Sequence, residues 1–185
     1  MTGTATGCER EFRRTYGLAV VPVPLRMPCR RQLEPMRFFS NSNAKWSAIA
    51  SSVRDIHRSG RPALVGTRSI ADSEFLARML TECGVHFQLL NGRQDASEAS
   101  IVARAGDGGA VTIATNLAGR GTDIRLAPGV AERGGLHVVV AECHESARVD
   151  RQLVGRCARQ GDPGSAQIFV SAEDSLIQRF GAWLA

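Results

Sequence analysis

Two segments carry residue types and spacings suited to phosphate chemistry. The first is Thr115-Asn116-Leu117-Ala118-Gly119-Arg120-Gly121-Thr122-Asp123. It follows the apolar run Val111 to Ala114, so it leaves the end of a strand. Its glycines free the backbone to turn sharply and bring amides to an anion. Thr122 and Asp123 add a hydroxyl and a carboxylate at that point. The second runs from Gln152 to Gly164, with Arg156 and Arg159 three residues apart. On a helix that spacing puts both guanidinium groups on one face. In a last helical turn, before Gly161 and Pro163, positive charge is favourable in itself. The same placement also suits an arginine finger, which stabilises charge on the oxygens of a phosphoryl group in transfer and is worth about 10³–10⁵ in rate. Asp162 is placed to bind a nucleotide sugar or a neighbouring amide.

An absence limits what these groups do alone. A P-loop needs G-x-x-x-x-G-K-S/T, with its lysine on the outer phosphates. The single lysine, Lys45, lies in Asn43-Ala44-Lys45-Trp46 and has no such loop. No Asp-Glu pair follows a strand to hold Mg²⁺. The chain therefore reads as the second wall of a nucleotide cleft, not as a complete ATP site.

The elements that position these segments follow from periodicity. Residues 1–14 read as a loose leader, Leu18 to Val23 as a short strand, and the Pro- and Arg-rich stretch 24–43 as linker-like. From Ala44 an amphipathic helix carries Trp46, Ile49, Ala50, Val53 and Ile56, and stops at Gly60 and Pro62. A strand at Ala63 to Gly66 precedes a helix capped by Ser69 and ended by Gly84. Val85, Phe87 and Leu89 alternate as a strand, and Asp95 with Glu98 forms a capping box for a helix to Ala105. Strands are expected at Ala110 to Ala114, Leu136 to Ala141 and Ala166 to Val170. Helices are expected from Glu145 to Ala158 and from Glu173 to Leu184. Such alternation predicts an α/β fold, a parallel sheet with helices on both faces, with ligands outside the carboxyl ends of the strands.

Composition narrows the class. The chain has 185 residues, 43% hydrophobic and 22% charged, which is long and apolar enough to bury a core without disulfides or a metal. No apolar run reaches the roughly 18 residues of a membrane span. The five cysteines are odd in number and none is CxxC-spaced, so they read as free thiols. His137, Cys143, His144 and Cys157 make a poor zinc signature, and no metal site is expected. Net charge is +5, yet aromatics are only 5% and are not interleaved with the basic residues, so nucleic acid is an unlikely partner.

The two segments, in this order, resemble motifs V and VI of superfamily-2 motor ATPases. The likeness is closer to one branch. Val65 to Ile70, Ser73-Glu74, Leu90-Asn91, Glu98-Ala99, Ala114 to Ile124, Gly134 to His137, His144-Glu145-Ser146, Asp150 and Gln152 to Asp162 resemble the second nucleotide-binding domain of the SecA family of preprotein translocase motors. The resemblance spans about residues 15 to 180. It implies a RecA-like domain, a P-loop NTPase-type fold without its own P-loop, over residues 44–185. Residues 1–43 are then a leader, a remnant of the first nucleotide-binding domain and a linker.

It also implies that ATP and Mg²⁺ are held mainly by a first domain, and that Arg156 and Arg159 are the catalytic fingers. Gly121, Thr122, Asp123 and Asp162 contact the nucleotide or couple the cleft to domain motion. ATP hydrolysis then needs both domains, and this chain alone is not expected to carry it out. Partners implied are that first domain, a SecYEG-like channel and preprotein. The location implied is cytoplasmic, with peripheral attachment at the cytoplasmic face of the inner membrane. The chain departs from the family pattern at Cys143 and Val154, where arginines are usual, at Ala127-Pro128 and at Asn91 to Asp95. Alternatives in view are the C-terminal half of a superfamily-2 nucleic-acid helicase and a truncated, non-catalytic regulatory module.

Overall fold

The computed structural model describes residues 5–90, 98–115 and 123–181. Helix α1 (Glu9–Tyr16) opens it and buries none of its residues. Two short strands follow, β1 (Arg30–Leu33) and β2 (Arg37–Phe39). Helix α2 (Ser42–Arg58) begins where the Asn41 side chain accepts from the Ala44 amide at 2.8 Å. It ends before Gly60, whose φ of 74° lies in the left-handed region that glycine tolerates. Strand β3 (Ala63–Thr67) leads to α3 (Ile70–Glu82), which Ser69 and Asp72 open as a reciprocal capping box. Then come β4 (Gln88–Leu90), α4 (Glu98–Arg104), β5 (Val111–Thr115), β6 (Leu136–Val140), α5 (Ala147–Val154), β7 (Pro163–Ser171) and α6 (Ser175–Phe180).

The strands form one seven-stranded sheet in the order β1-β7-β6-β3-β5-β4, with β2 also on β7, and every pair is parallel. Alternate side chains divide the core in two. Val65, Ile113, Val139 and Phe169 pack with Ile49 and Val53 of α2 and with Leu76 and Leu80 of α3. Leu64, Ala114, Val138, Val140 and Ala166 pack with Leu153 of α5 and Val102 of α4. Burial on both faces is why Leu136 to Val140 is apolar but for His137. The α/β parallel sheet with helices on both faces is as expected.

Several expected elements are corrected. Leu18 to Val23 is not a strand, and Leu18, Val21 and Val23 are 59%, 76% and 77% exposed. Pro22 and Pro24 remove donors there, so nothing favours a ladder. The loose leader contains α1. The linker-like stretch contributes β1 and β2 as a split edge strand along β7. Leu33 faces Ala166 and Arg37 faces Phe169, so residues 34–36 span the room of two residues on β7. Proline and arginine, which suggested a loop, are what sheet edges tolerate. The strand expected from Val85 starts at Gln88, because Val85 closes α3 by donating to Leu80 O. The helix expected to reach Ala158 stops at Val154, where Gly155 caps it. The last helix starts at Ser175, two residues late. Asp95 of the expected capping box lies outside the described residues.

Candidate functional site

Arg156 and Arg159 do not share a helix face, since both lie beyond the end of α5. The chain there makes a turn in which Ala158, Gln160 and Gly161 take φ of 54°, 53° and 88°. This turn leads into β7, so it lies beside the amino ends of β6 and β7 and not along the carboxyl edge of the sheet. A Cβ added to Gly164 would sit 2.9 Å from Cys157 Cβ and 3.1 Å from Leu136 O, which fixes that location.

The turn nevertheless joins the two segments that sequence singled out. Arg159 donates from Nη1 to Asp123 Oδ1 at 2.8 Å and from Nε to Gly155 O at 2.9 Å. Gln160 donates to the other oxygen of Asp123 at 3.2 Å. Both charged side chains are about one-third exposed, 34% and 37%. The pair is therefore open to solvent and able to exchange partners. Asp162 is half-buried, and its amide donates to Arg159 O at 2.9 Å. Gly121 and Thr122 lie outside the described residues.

Arg156 behaves differently. It is 9% exposed and lines a cavity of about 520 Å³, measured with its open mouth, between the sheet and α4 and α5. Leu64, Gly66, Thr112, Ala114, Val149 and Leu153 are among its lining residues, with Thr67 and His144 towards the carboxyl end of β3. His144 is held by Asp150, through Nδ1 to Oδ1 at 2.8 Å and through its amide to both carboxylate oxygens at 3.2 Å. A carboxylate only accepts, so Nδ1 carries the proton. His144 Nε2 and Thr112 Oγ1, both on cavity residues, are buried without hydrogen-bond partners. Such orphaned groups suit ordered water.

The other candidate residues have structural roles. Lys45 is 1% exposed and forms a short ion pair with Asp174, which also accepts from Ser171 N at 2.9 Å and Ser171 Oγ at 2.6 Å. Lys45 Nζ lies 5.1 Å from the Trp46 ring centroid. Burial pushes the Cys143 thiol up to about 11, helped by Asp150, and raises that of Cys157. Both thiols are thus poor nucleophiles and poor ligands near neutrality. His137 Nδ1 and Ser165 Oγ share a hydrogen bond of 2.7 Å, and that hydroxyl accepts from Arg61 Nη2 at 2.8 Å. Among the described residues, no group of three His, Cys, Asp or Glu side chains is placed to hold a metal.

Sequence reasoning missed the groups that grip the turn from outside. Arg31 Nη2 donates to Cys157 O at 3.1 Å and Arg30 Nη1 to Gly161 O at 3.5 Å. These are contacts across more than 120 residues, and no local spacing announces them.

The model of the SecA P-loop domain matches residues 28–131 and 127–184. The protein translocase subunit SecA 2 of Magnetococcus marinus is 51% identical over 178 residues, which is 96% of this chain and 27% of that protein. Its namesake in Geobacillus thermodenitrificans is 51% identical over 182 residues, 98% of this chain and 23% of that protein. The chain thus spans about a quarter of the length of these curated relatives.

Among solved structures, the E. coli DEAD-box protein SrmB bound to RraA aligns with a TM-score of 0.61 at 22% identity, over 82% of this chain and 87% of that one. Domain 2 of the Mss116p DEAD-box helicase aligns with a TM-score of 0.58 at 19% identity, over 77% of this chain and 54% of that one. Likeness at that level concerns the fold alone, an α/β RecA-like domain. With the domain model matched from Pro28 nearly to the last residue, this chain belongs to the SecA P-loop domain family.

Proposed function

We propose that this chain is the second nucleotide-binding half of a SecA-type motor that uses ATP to drive preproteins across the bacterial inner membrane. Residues 44–185 form that half together with β1 and β2, which complete its sheet from within residues 1–43; the rest of 1–43 holds the return from the first domain. The observation that carries the reading is the Asp123–Arg159 pair, which brings the two phosphate-suited segments into contact. The relatives are named as protein translocase subunits, which supports the transport role.

The residues present suit half of an ATP site. Arg159 offers a guanidinium with one edge on Asp123 and part of its surface in water. Asp123 offers a carboxylate beside it, Asp162 follows three residues on in the same turn, and Gly121 and Thr122 adjoin Asp123 in sequence. In this reading the metal and the phosphate cradle are supplied by the first domain. When bound, ATP supplies the phosphoryl group that water accepts. In this reading Asp123 and Gln160 orient Arg159, which neutralises phosphate charge on domain closure. Arg156, lining the cavity, joins it only when that wall parts. The assembled protein works in the cytoplasm, docked on the inner face of a SecYEG-like channel.

The test is ATPase activity of this chain mixed with the first nucleotide-binding domain of a SecA-type motor. Arg159→Ala is expected to lower the rescued rate by about 10³. An unchanged rate removes Arg159 from the reaction. A second reading is a non-catalytic regulatory module, favoured by the fact that Arg159 is already occupied by Asp123. It gives no hydrolysis in any pairing.

A further inference from the structure

The turn carrying Arg159 is held in a conformation that its own residues disfavour. Ala158 and Gln160 sit at φ of 54° and 53°. A side chain with Cβ crowds a carbonyl oxygen there, and such residues persist only where their surroundings hold them. Between them is Arg159, so the direction of its side chain depends on the turn staying wound.

What holds the turn from outside is β1 and the residues just before it. Arg31 takes the carbonyl of Cys157 at one end of the turn at 3.1 Å, and Arg30 takes that of Gly161 at the other end at 3.5 Å. Met27 covers Gly161, where an added Cβ would meet Met27 Cβ at 3.2 Å. Strand β1 is laid along β7 from Arg30, opposite Pro163, so the same strand that pairs with β7 brackets the turn preceding it. Immediately N-terminal, Leu18, Val21, Val23 and Leu25 are 59–77% exposed.

We propose that residues 27–31 are a strap that positions Arg159, with Arg31 as its principal positioning residue. While β1 lies on β7, the turn stays wound and Arg159 stays on Asp123. When β1 is drawn away, the turn relaxes and Arg159 is released from Asp123. The proposal rests on the reading that the chain works against a first nucleotide-binding domain. That domain, engaging the apolar run before the strap, would set the arginine's position from a distance.

Hydrogen exchange on the full chain tests the strap without any ATPase. Arg31→Met keeps an apolar stem and removes the donors. It is expected to speed exchange of the amides of residues 155–162 by about five- to tenfold, as for loss of one hydrogen bond. Exchange in β6 should be unchanged. Arg31→Lys, with one donor group, should restore part of the protection. Unaltered exchange at 155–162 overturns the proposal, as does an equal rise with lysine and methionine. If Arg31→Met loosens β6 as well, Arg30→Met decides by the same criterion. In the two-domain mixture, Arg31→Met should lower kcat and leave KM for ATP unchanged. An Arg159→Ala variant without effect on the rescued rate, beside exchange that follows Arg31, defeats the finger reading and leaves the strap standing. Loss of rate in Arg159→Ala with exchange indifferent to Arg31 defeats the strap alone.

Discussion

His137 shows how one buried side chain sets a pH response. It is 1% exposed at the start of β6, and burial, followed by the nearby Arg61 guanidinium, pushes its pKa down from 6.5 to about 4. The Glu34 carboxylate at 3.7 Å does not offset this. The folded chain therefore keeps the ring neutral where the unfolded chain takes up a proton. The unfolded state binds more protons between pH 6.5 and 4, so stability falls as pH falls through that window. The loss is on the order of 3 kcal/mol at the acid end. Urea midpoints recorded from pH 7 to 4 should show this slope in the wild type and a shallower one in His137→Gln; parallel slopes would remove His137 as the cause. Arg156 and Arg159 make a related point. Three residues apart in sequence, they end in different environments, one lining a cavity and one paired at the surface.

At the scale of elements, the buried Lys45–Asp174 pair fastens α2 to the turn between β7 and α6. Lys45→Met leaves a buried carboxylate with only Ser171 to answer it, and about 3 kcal/mol of stability should be lost. Adding Asp174→Asn should recover more than half of that loss, and a double-mutant cycle in urea measures it. If the single variant costs nothing, the pair is not what joins these elements. The lone lysine was legible as unavailable for a P-loop, but not as a buried tie, because its partner is 129 residues away. Strands β3, β5 and β6 and helices α2 and α3 were legible because apolar periodicity and local caps agree there. What was not legible was decided by tertiary contacts. Strand β1 forms on β7 despite its arginines, and α5 stops at Gly155 although its pattern continues. The Asp123–Arg159 contact was not legible either: both segments stood out by residue type, but nothing local says that they touch across 36 residues.

For the whole molecule, the first 25 residues are held to the sheet and its helices only lightly, with Arg151 Nη2 of α5 donating to Thr6 O at 2.9 Å. Helix α1 buries nothing, and Leu18, Val21, Val23 and Leu25 face solvent. Deleting residues 1–25 should therefore shift stability by no more than about 0.5 kcal/mol. It should also reduce self-association in sedimentation, since an apolar run is removed. A large drop in the urea midpoint would mean that this segment packs on the domain in solution. The tie inside the domain has a practical corollary of another kind. The one ε-amine of the chain is shut in with a carboxylate, so acylating reagents and lysine-specific proteases find no target there in the native state. Modification of that amine becomes a clock for the opening of the seam, readable by mass spectrometry.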